Sequence, residues 1–215
     1  MSIDQPLIIN GWNIFAHPLF LEQFEELVTQ VEELRHKFPK DYKRKNVTKR
    51  LAAIAKLAFD TIPQDPTRSE YRQGTALGDD YKHWFRAKFF QQYRLFFRYH
   101  QEGKIILFAW VNDENSKRAY ESSTDAYRFF RKMLETGHPP DDWNDLLKEA
   151  KSTISRLREA AVLKAEAVPR APRASSAIAE EGSGIAVFPQ RNVGSARYAS
   201  VYKEFPSRKT AVNDT

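Results

Sequence analysis

Hydrophobic and polar positions alternate most strictly between Trp84 and Tyr99, in the run WFRAKFFQQYRLFFRY. In an extended chain Phe85, Ala87 and Phe89 point to one face, and Trp84, Arg86 and Lys88 to the other. Beyond Phe90-Gln91-Gln92 the alternation resumes, with Tyr93, Leu95, Phe97 and Tyr99 set against Arg94, Phe96 and Arg98. A three-residue loop keeps both faces in register and sets Lys88 opposite Arg94 and Arg86 opposite Phe96. The pattern predicts a β-hairpin. One face is apolar and suited to a core; the other carries four cations among aromatic rings and no carboxylate. The loop lacks the glycine of a standard hairpin turn.

Around this hairpin the periodicity changes. Pro6 to Ile9 is a short apolar patch, and Gly11 to Ala16 reads as a first strand ending before His17-Pro18. From Pro18 the apolar positions Phe20, Phe24, Leu27, Val31, Leu34 and Phe38 recur at helical spacing, with glutamates largely on other faces. A second helix is expected over Asp41–Asp60, with Val47, Leu51, Ile54 and Ala58 apolar and its Lys and Arg crowded into the first half. Two helices so closely joined should form an antiparallel pair. Residues 62–74, holding Pro63 and Pro66, read as a loop. After the hairpin, Lys104 to Val111 is apolar at nearly every position, as in a strand covered on both faces. Helical pattern returns over Asp125–Glu135, stopped by Gly137 and Pro139-Pro140, and again over Asp142–Leu163.

Together these elements predict an α+β fold: a small antiparallel sheet with helices packed on one face, leaving the basic–aromatic face open. The expected boundaries are a folded domain at 1–164 and a disordered or weakly structured tail at 165–215. The tail is rich in Ala, Pro, Arg, Ser and Gly. Within it, VFPQR and YASVYKEFP are either short docking elements or chance.

Composition sharpens the function classes. A net charge of +6 and a pI of about 9.4 favour a polyanionic partner. The chain has no cysteine, which excludes disulfides and thiolate metal sites. No apolar run approaches the ~20 residues of a membrane span, and the N-terminus lacks the pattern of a secretory signal. A cytoplasmic protein without membrane attachment is expected.

Several motifs occur together and in order: NGW-x-x-x-x-HP, WFRAKF, YRLFFRY, WVNDEN-x-x-R-x-Y, TDAY and GHPP-x-DW. From about Asn10 to Trp143 the chain resembles the YhaV toxins, members of the RelE-like superfamily in bacterial toxin–antitoxin pairs. The tail lies outside the resemblance. The resemblance implies a RelE-like fold and an endoribonuclease that cleaves translated mRNA in the ribosome and arrests growth. It further implies a PrlF-type antitoxin with an AbrB-like fold. Operator DNA is expected to be bound only by the toxin–antitoxin complex. No metal or other cofactor is implied.

Metal-free RNA cleavage requires a proton to leave the 2′-hydroxyl, negative charge on phosphorus to be stabilised, and the 5′ oxygen to be protonated. Preorganised guanidinium groups supply the second requirement. Arg86 and Arg94 are the leading catalytic candidates, with Lys88 and Arg98 beside them as RNA contacts. Trp84 or Phe96 is expected to stack on a base. Without the resemblance, composition favours reading the same face as a solvated or antitoxin-binding basic surface, since same-sign charges more often bind phosphate than catalyse on it. Tyr120 falls where the superfamily carries a tyrosine after the last core strand; it is a candidate acid or base, a stacking residue, or a packing residue. The better-studied RelE pattern has a basic residue after the strand, where this chain has Asn112-Asp113-Glu114-Asn115. Glu114 is therefore a candidate base, or else a loop carboxylate paired with Arg118, itself a candidate RNA contact.

Among five histidines, only His83 and His138 are candidates for proximity to the site, and His138 also reads as a helix stop. No pair has metal-ligand spacing, and phosphate-loop, dinucleotide and nucleophile-elbow motifs are absent. Two alternatives belong to other classes. One is a non-catalytic nucleic-acid-binding or antitoxin-docking module of the same fold. The other is a DNA regulator acting through the basic start of the second helix, although that helix lacks obvious base-reading residues.

Overall fold

The fold is built on a five-stranded sheet in the order β1-β2-β5-β4-β3; the computed structural model describes residues 5–113 and 125–167. Strands β1 (Leu7–Ile9) and β2 (Trp12–Ala16) form an antiparallel hairpin. Its turn is Asn10-Gly11 with φ of +49° and +79°, the residue pair that adopts left-handed backbone at least cost. The patch at Pro6–Ile9 is therefore largely a strand. Strands β3 (Phe85–Phe89), β4 (Tyr93–His100) and β5 (Ile105–Val111) make the expected antiparallel meander. The register is as read from the alternation: Lys88 faces Arg94, and Arg86 faces Phe96. The class is α+β. The sheet is mixed rather than wholly antiparallel, because β2 runs parallel to β5.

Helix α1 (Pro18–Lys37) starts where His17 Nδ1 accepts the Leu19 N–H at 3.2 Å, with Pro18 in the first turn. It buries Phe20, Phe24, Leu27 and Val31 against one face of the sheet, with Ile14, Phe97, Ile106 and Phe108 in the same core. Gln23, also buried, ends β5 by exchanging two hydrogen bonds with the Val111 backbone, at 2.7 and 3.1 Å. Helix α2 (Asn46–Lys56) packs beside α1 and is shorter than expected. It is preceded by a 3-10 turn at Tyr42–Arg44 and widens into a π turn at Leu57–Thr61. The widening lies just before Pro63, whose ring and missing N–H disfavour a regular turn.

The second face of the sheet is covered as well, which corrects the expectation of helices on one face only. Helix α3 (Asp125–Glu135) lays Phe130 on Phe96 at 4.2 Å between ring centroids, and on Trp84 and Trp110 at 5.0 and 5.8 Å. A bulge opposite Phe96/Phe97 lets Phe108 and Val111 join the α1-side core while Trp110 turns towards α3. Helix α3 ends as predicted at Gly137, φ +78°, with Gly137 N–H on Leu134 O and His138 N–H on Met133 O.

The expected last helix is two helices, α4 (Trp143–Lys151) and α5 (Ile154–Ala167). The break has a local cause. Thr153 Oγ1 donates to Ala16 O at 2.6 Å and approaches Ala150 O, and Ser152 Oγ donates to Glu149 O, so side-chain hydroxyls compete for helix carbonyls. The tail from residue 168 onward lies outside the described residues. No described helix is long and apolar enough to cross a membrane.

Candidate functional site

Burial of Trp84 and Phe96 corrects the first expectation. Both side chains are fully buried under α3 and cannot receive a base. Alternation along the strand identified their face, but α3 supplies Phe129 and Phe130 to seal its middle. Arg98 is also tied into this packing. Its guanidinium lies between the Trp84 and Trp143 rings, at 5.4 and 5.2 Å, and donates to Asp141 O at 2.6 Å. Burial pulls its pKa down, partly offset by Asp141 and Asp142. His83 Nε2 and Trp84 Nε1 both meet Asp141 Oδ1 at 2.7 Å, completing this buttress.

The open end of the same face, towards the β3–β4 turn, has a different character. Arg86 Nε donates to Tyr127 Oη on α3 at 2.7 Å, and Arg86 Nη1 donates to Glu70 O at 2.6 Å. The Arg94 guanidinium carbon stands 6.0 Å from the Tyr127 ring centroid. Arg94 Nη1 donates to Gln91 O and Tyr93 O, at 2.6 and 2.9 Å. Its buried Nε has no hydrogen-bond partner among the described residues. Leaving such a donor unpaired costs about 1–3 kcal/mol. Lys88 is exposed on the neighbouring strand, opposite Arg94.

Asn112 holds this end together. It is buried; its Oδ1 accepts the Arg94 N–H at 2.5 Å and its Nδ2 donates to Gln92 O at 3.0 Å. Its own N–H donates to Arg94 O at 3.2 Å. The first residue of the NDEN segment thus clamps the hairpin turn onto β5 and fixes the backbone of Arg94.

The structure brings together Arg86, Arg94 and Lys88 from the sequence-derived set, and adds Tyr127 and Asn112. The pattern placed Tyr127 on the apolar side of its helix, and only its membership of the TDAY motif pointed to it. Glu114, Arg118 and Tyr120 lie outside the described residues. Among the described residues, no group of three or more His, Asp and Glu side chains is arranged to hold a metal ion. A groove of about 590 Å³ along α4 is lined by Asp141, Asp142, Asp145, Lys148 and Glu149, an acid-rich surface unsuited to a phosphate chain.

Chemically, two guanidinium groups and a phenol converge. The guanidiniums can hold two non-bridging phosphate oxygens. The Tyr127 oxygen accepts from Arg86, which leaves its own proton to donate outward.

A family model described as a toxin with endonuclease activity, of a toxin–antitoxin system, matches residues 14–151. The ribonuclease toxin YhaV of Escherichia coli K12 is 45% identical over 153 residues, covering 70% of this chain and 99% of the relative. Toxin YhaV of E. coli O157:H7 matches equally, and that of E. coli O6:H1 is 44% identical over the same length. No solved structure matches the chain.

Proposed function

The chain belongs to the YhaV family of toxins with endonuclease activity from toxin–antitoxin systems, and from that premise we propose a metal-independent, ribosome-associated endoribonuclease that cleaves mRNA and arrests growth. Membership of a toxin–antitoxin system implies an antitoxin partner. We infer a PrlF-type, AbrB-like one, with operator DNA bound only by the complex and the toxin acting in the cytoplasm.

The observation that carries the proposal is the pairing of Arg86 with Tyr127 beside Arg94. Arg86 and Arg94 hold the non-bridging oxygens of the scissile phosphate and stabilise the charge that builds there. The 2′ oxygen attacks phosphorus and the bond to the 5′ oxygen breaks. A 2′,3′-cyclic phosphate and a 5′-hydroxyl result. Tyr127 is positioned to protonate the departing 5′ oxygen. Glu114 and Tyr120 remain the proposed candidates for taking the 2′ proton, and Lys88 and Arg118 for holding flanking RNA. Metal independence is supported by the positive charge that the Arg86 and Arg94 guanidiniums bring to the phosphate.

The test is end chemistry. The purified chain is added to an mRNA in a translation reaction and to the same mRNA alone. Cleavage only of the translated message, leaving 5′-hydroxyl ends and blocked by a 2′-deoxy substitution at the cut site, is expected. Ends carrying 5′-phosphate would contradict the 2′-attack route. RNA binding without any cleavage would support the non-catalytic module instead.

A further inference from the structure

Three hairpins of this sheet turn through left-handed backbone, β4–β5 at Lys104 among them, and they do so with very different residues. The β1–β2 turn uses Asn10-Gly11, which tolerate it. The β3–β4 turn uses Phe90 and Gln91, with φ of +45° and +59°. A bulky residue in this region is a genuine outlier. Phe90 is also 52% exposed, one of few large apolar side chains the described fold leaves in water. Folding alone would favour Asn-Gly here too. Strain of this kind persists where it serves a site.

The surroundings indicate what the ring serves. Phe90 meets Phe89 edge-on at 5.7 Å, and Phe89 stacks on Tyr93 at 5.1 Å. The Arg50 guanidinium lies over the Tyr93 ring at 5.7 Å. Arg50 ends the basic run that begins at Lys40 and includes Lys43, Arg44, Lys45 and Lys49. Beneath the turn, Arg94 holds the Gln91 carbonyl while facing Tyr127. The ring ends an aromatic row, Phe90–Phe89–Tyr93, that Arg50 closes at its far end, with exposed Lys88 two residues before it in the strand; an exposed aromatic with cations nearby suits single-stranded nucleic acid, bound by stacking and charge.

We propose that the tip of the β3–β4 hairpin is a nucleobase-stacking subsite for single-stranded RNA, with Phe90 as its platform and Lys88 and Arg50 holding the flanking phosphates. It takes over the stacking role that Trp84 and Phe96, being buried, cannot fill, and it rests on the endoribonuclease reading above. Exposed Lys88, and Arg50 at the end of the aromatic row, favour RNA over an apolar protein partner, for which the charges would be costly to bury.

The test uses the full chain and a fluorescent single-stranded RNA with 2′-O-methyl riboses, which cannot supply the attacking hydroxyl. Phe90→Gly removes the ring and relaxes the backbone, so its melting temperature should match or exceed wild type. Its RNA affinity should fall roughly tenfold, the scale of one base–aromatic stack. Phe90→Trp should restore affinity, and its indole fluorescence should be quenched on binding. Wild-type affinity in Phe90→Gly would overturn the subsite and leave the endoribonuclease reading standing. Retained RNA affinity with loss of the copurifying antitoxin would overturn it in favour of a protein contact. A soluble wild-type chain that fails to bind the probe would overturn the subsite, and one that also leaves translated mRNA uncut would bring down both.

Discussion

Replacing Asn112 with alanine should loosen the site without touching any group that meets RNA. Two hydrogen bonds disappear: Arg94 N–H to Oδ1, and Nδ2 to Gln92 O. The Arg94 amide is buried, and stranding it costs about 1–3 kcal/mol. The Gln92 carbonyl belongs to an exposed residue and can turn to water, so its loss is closer to 1 kcal/mol. The sum is about 2–4 kcal/mol, a fall in melting temperature of roughly 5–15 °C for a domain of this size. The second effect is on rate. Arg94 and the Gln92 turn share the Asn112 clamp, and a displacement of about 1 Å at a reacting centre costs about a hundredfold. Single-turnover RNA cleavage, measured where both proteins are folded, should drop by that order while RNA affinity changes little. Thr153→Val is the control. It removes the buried hydroxyl bond to Ala16 O and should lower stability, but leave the rate unchanged. An Asn112→Ala protein that melts within about 2 °C of wild type, or that cleaves at the wild-type rate, would refute the clamp.

Further outcomes follow from individual side chains. Tyr127→Phe keeps the ring against Phe96 but removes the oxygen that accepts from Arg86; cleavage should fall about 10²–10⁴-fold, with thermal unfolding nearly unchanged. Trp84→Ala should cost about 3–5 kcal/mol in urea unfolding. A Trp84→Ala protein of unchanged stability and weakened RNA binding would restore the stacking role denied to it here. His17 supplies a pH test. Burial lowers its pKa, opposed by its 2.7 Å contact with Glu149, so the folded state favours neutral imidazole. The unfolded chain therefore takes up the proton first. Stability should fall as pH drops below about 6.5 and level off below the lowered folded pKa. His17→Asn, which retains a helix cap, should flatten that part of the profile in urea midpoints.

Strand pairing in the hairpin was legible because a period of two and a short loop leave only one register that keeps Phe85, Ala87, Leu95 and Phe97 together. The same alternation assigns Trp84 and Phe96 to the opposite face. It carries no information about what covers that face, and burial by Phe129 and Phe130 comes from residues more than thirty positions away in the chain. Long-range contacts also divided α4 from α5. Thr153 looks like an ordinary helix residue until its hydroxyl finds the carbonyl of Ala16. Asn10-Gly11, by contrast, is a local hairpin signal, and it makes a strand of the apolar patch before it. For the candidate site, Arg86 and Arg94 were readable from charge on a strand face. Tyr127 and Asn112 were not, because the first resembles helix packing and the second a loop residue until their partners are seen.

The most direct measurement is induction of the chain in bacteria lacking an antitoxin, wild type beside Arg86→Ala, with growth and mRNA 5′ ends followed together and soluble protein confirmed for both. If Arg86 stabilises the phosphate under attack, wild type arrests growth and generates new 5′-hydroxyl ends in translated mRNA, and Arg86→Ala does neither. Arrest and cleavage by Arg86→Ala at wild-type strength would contradict a catalytic centre on the β3–β4 hairpin.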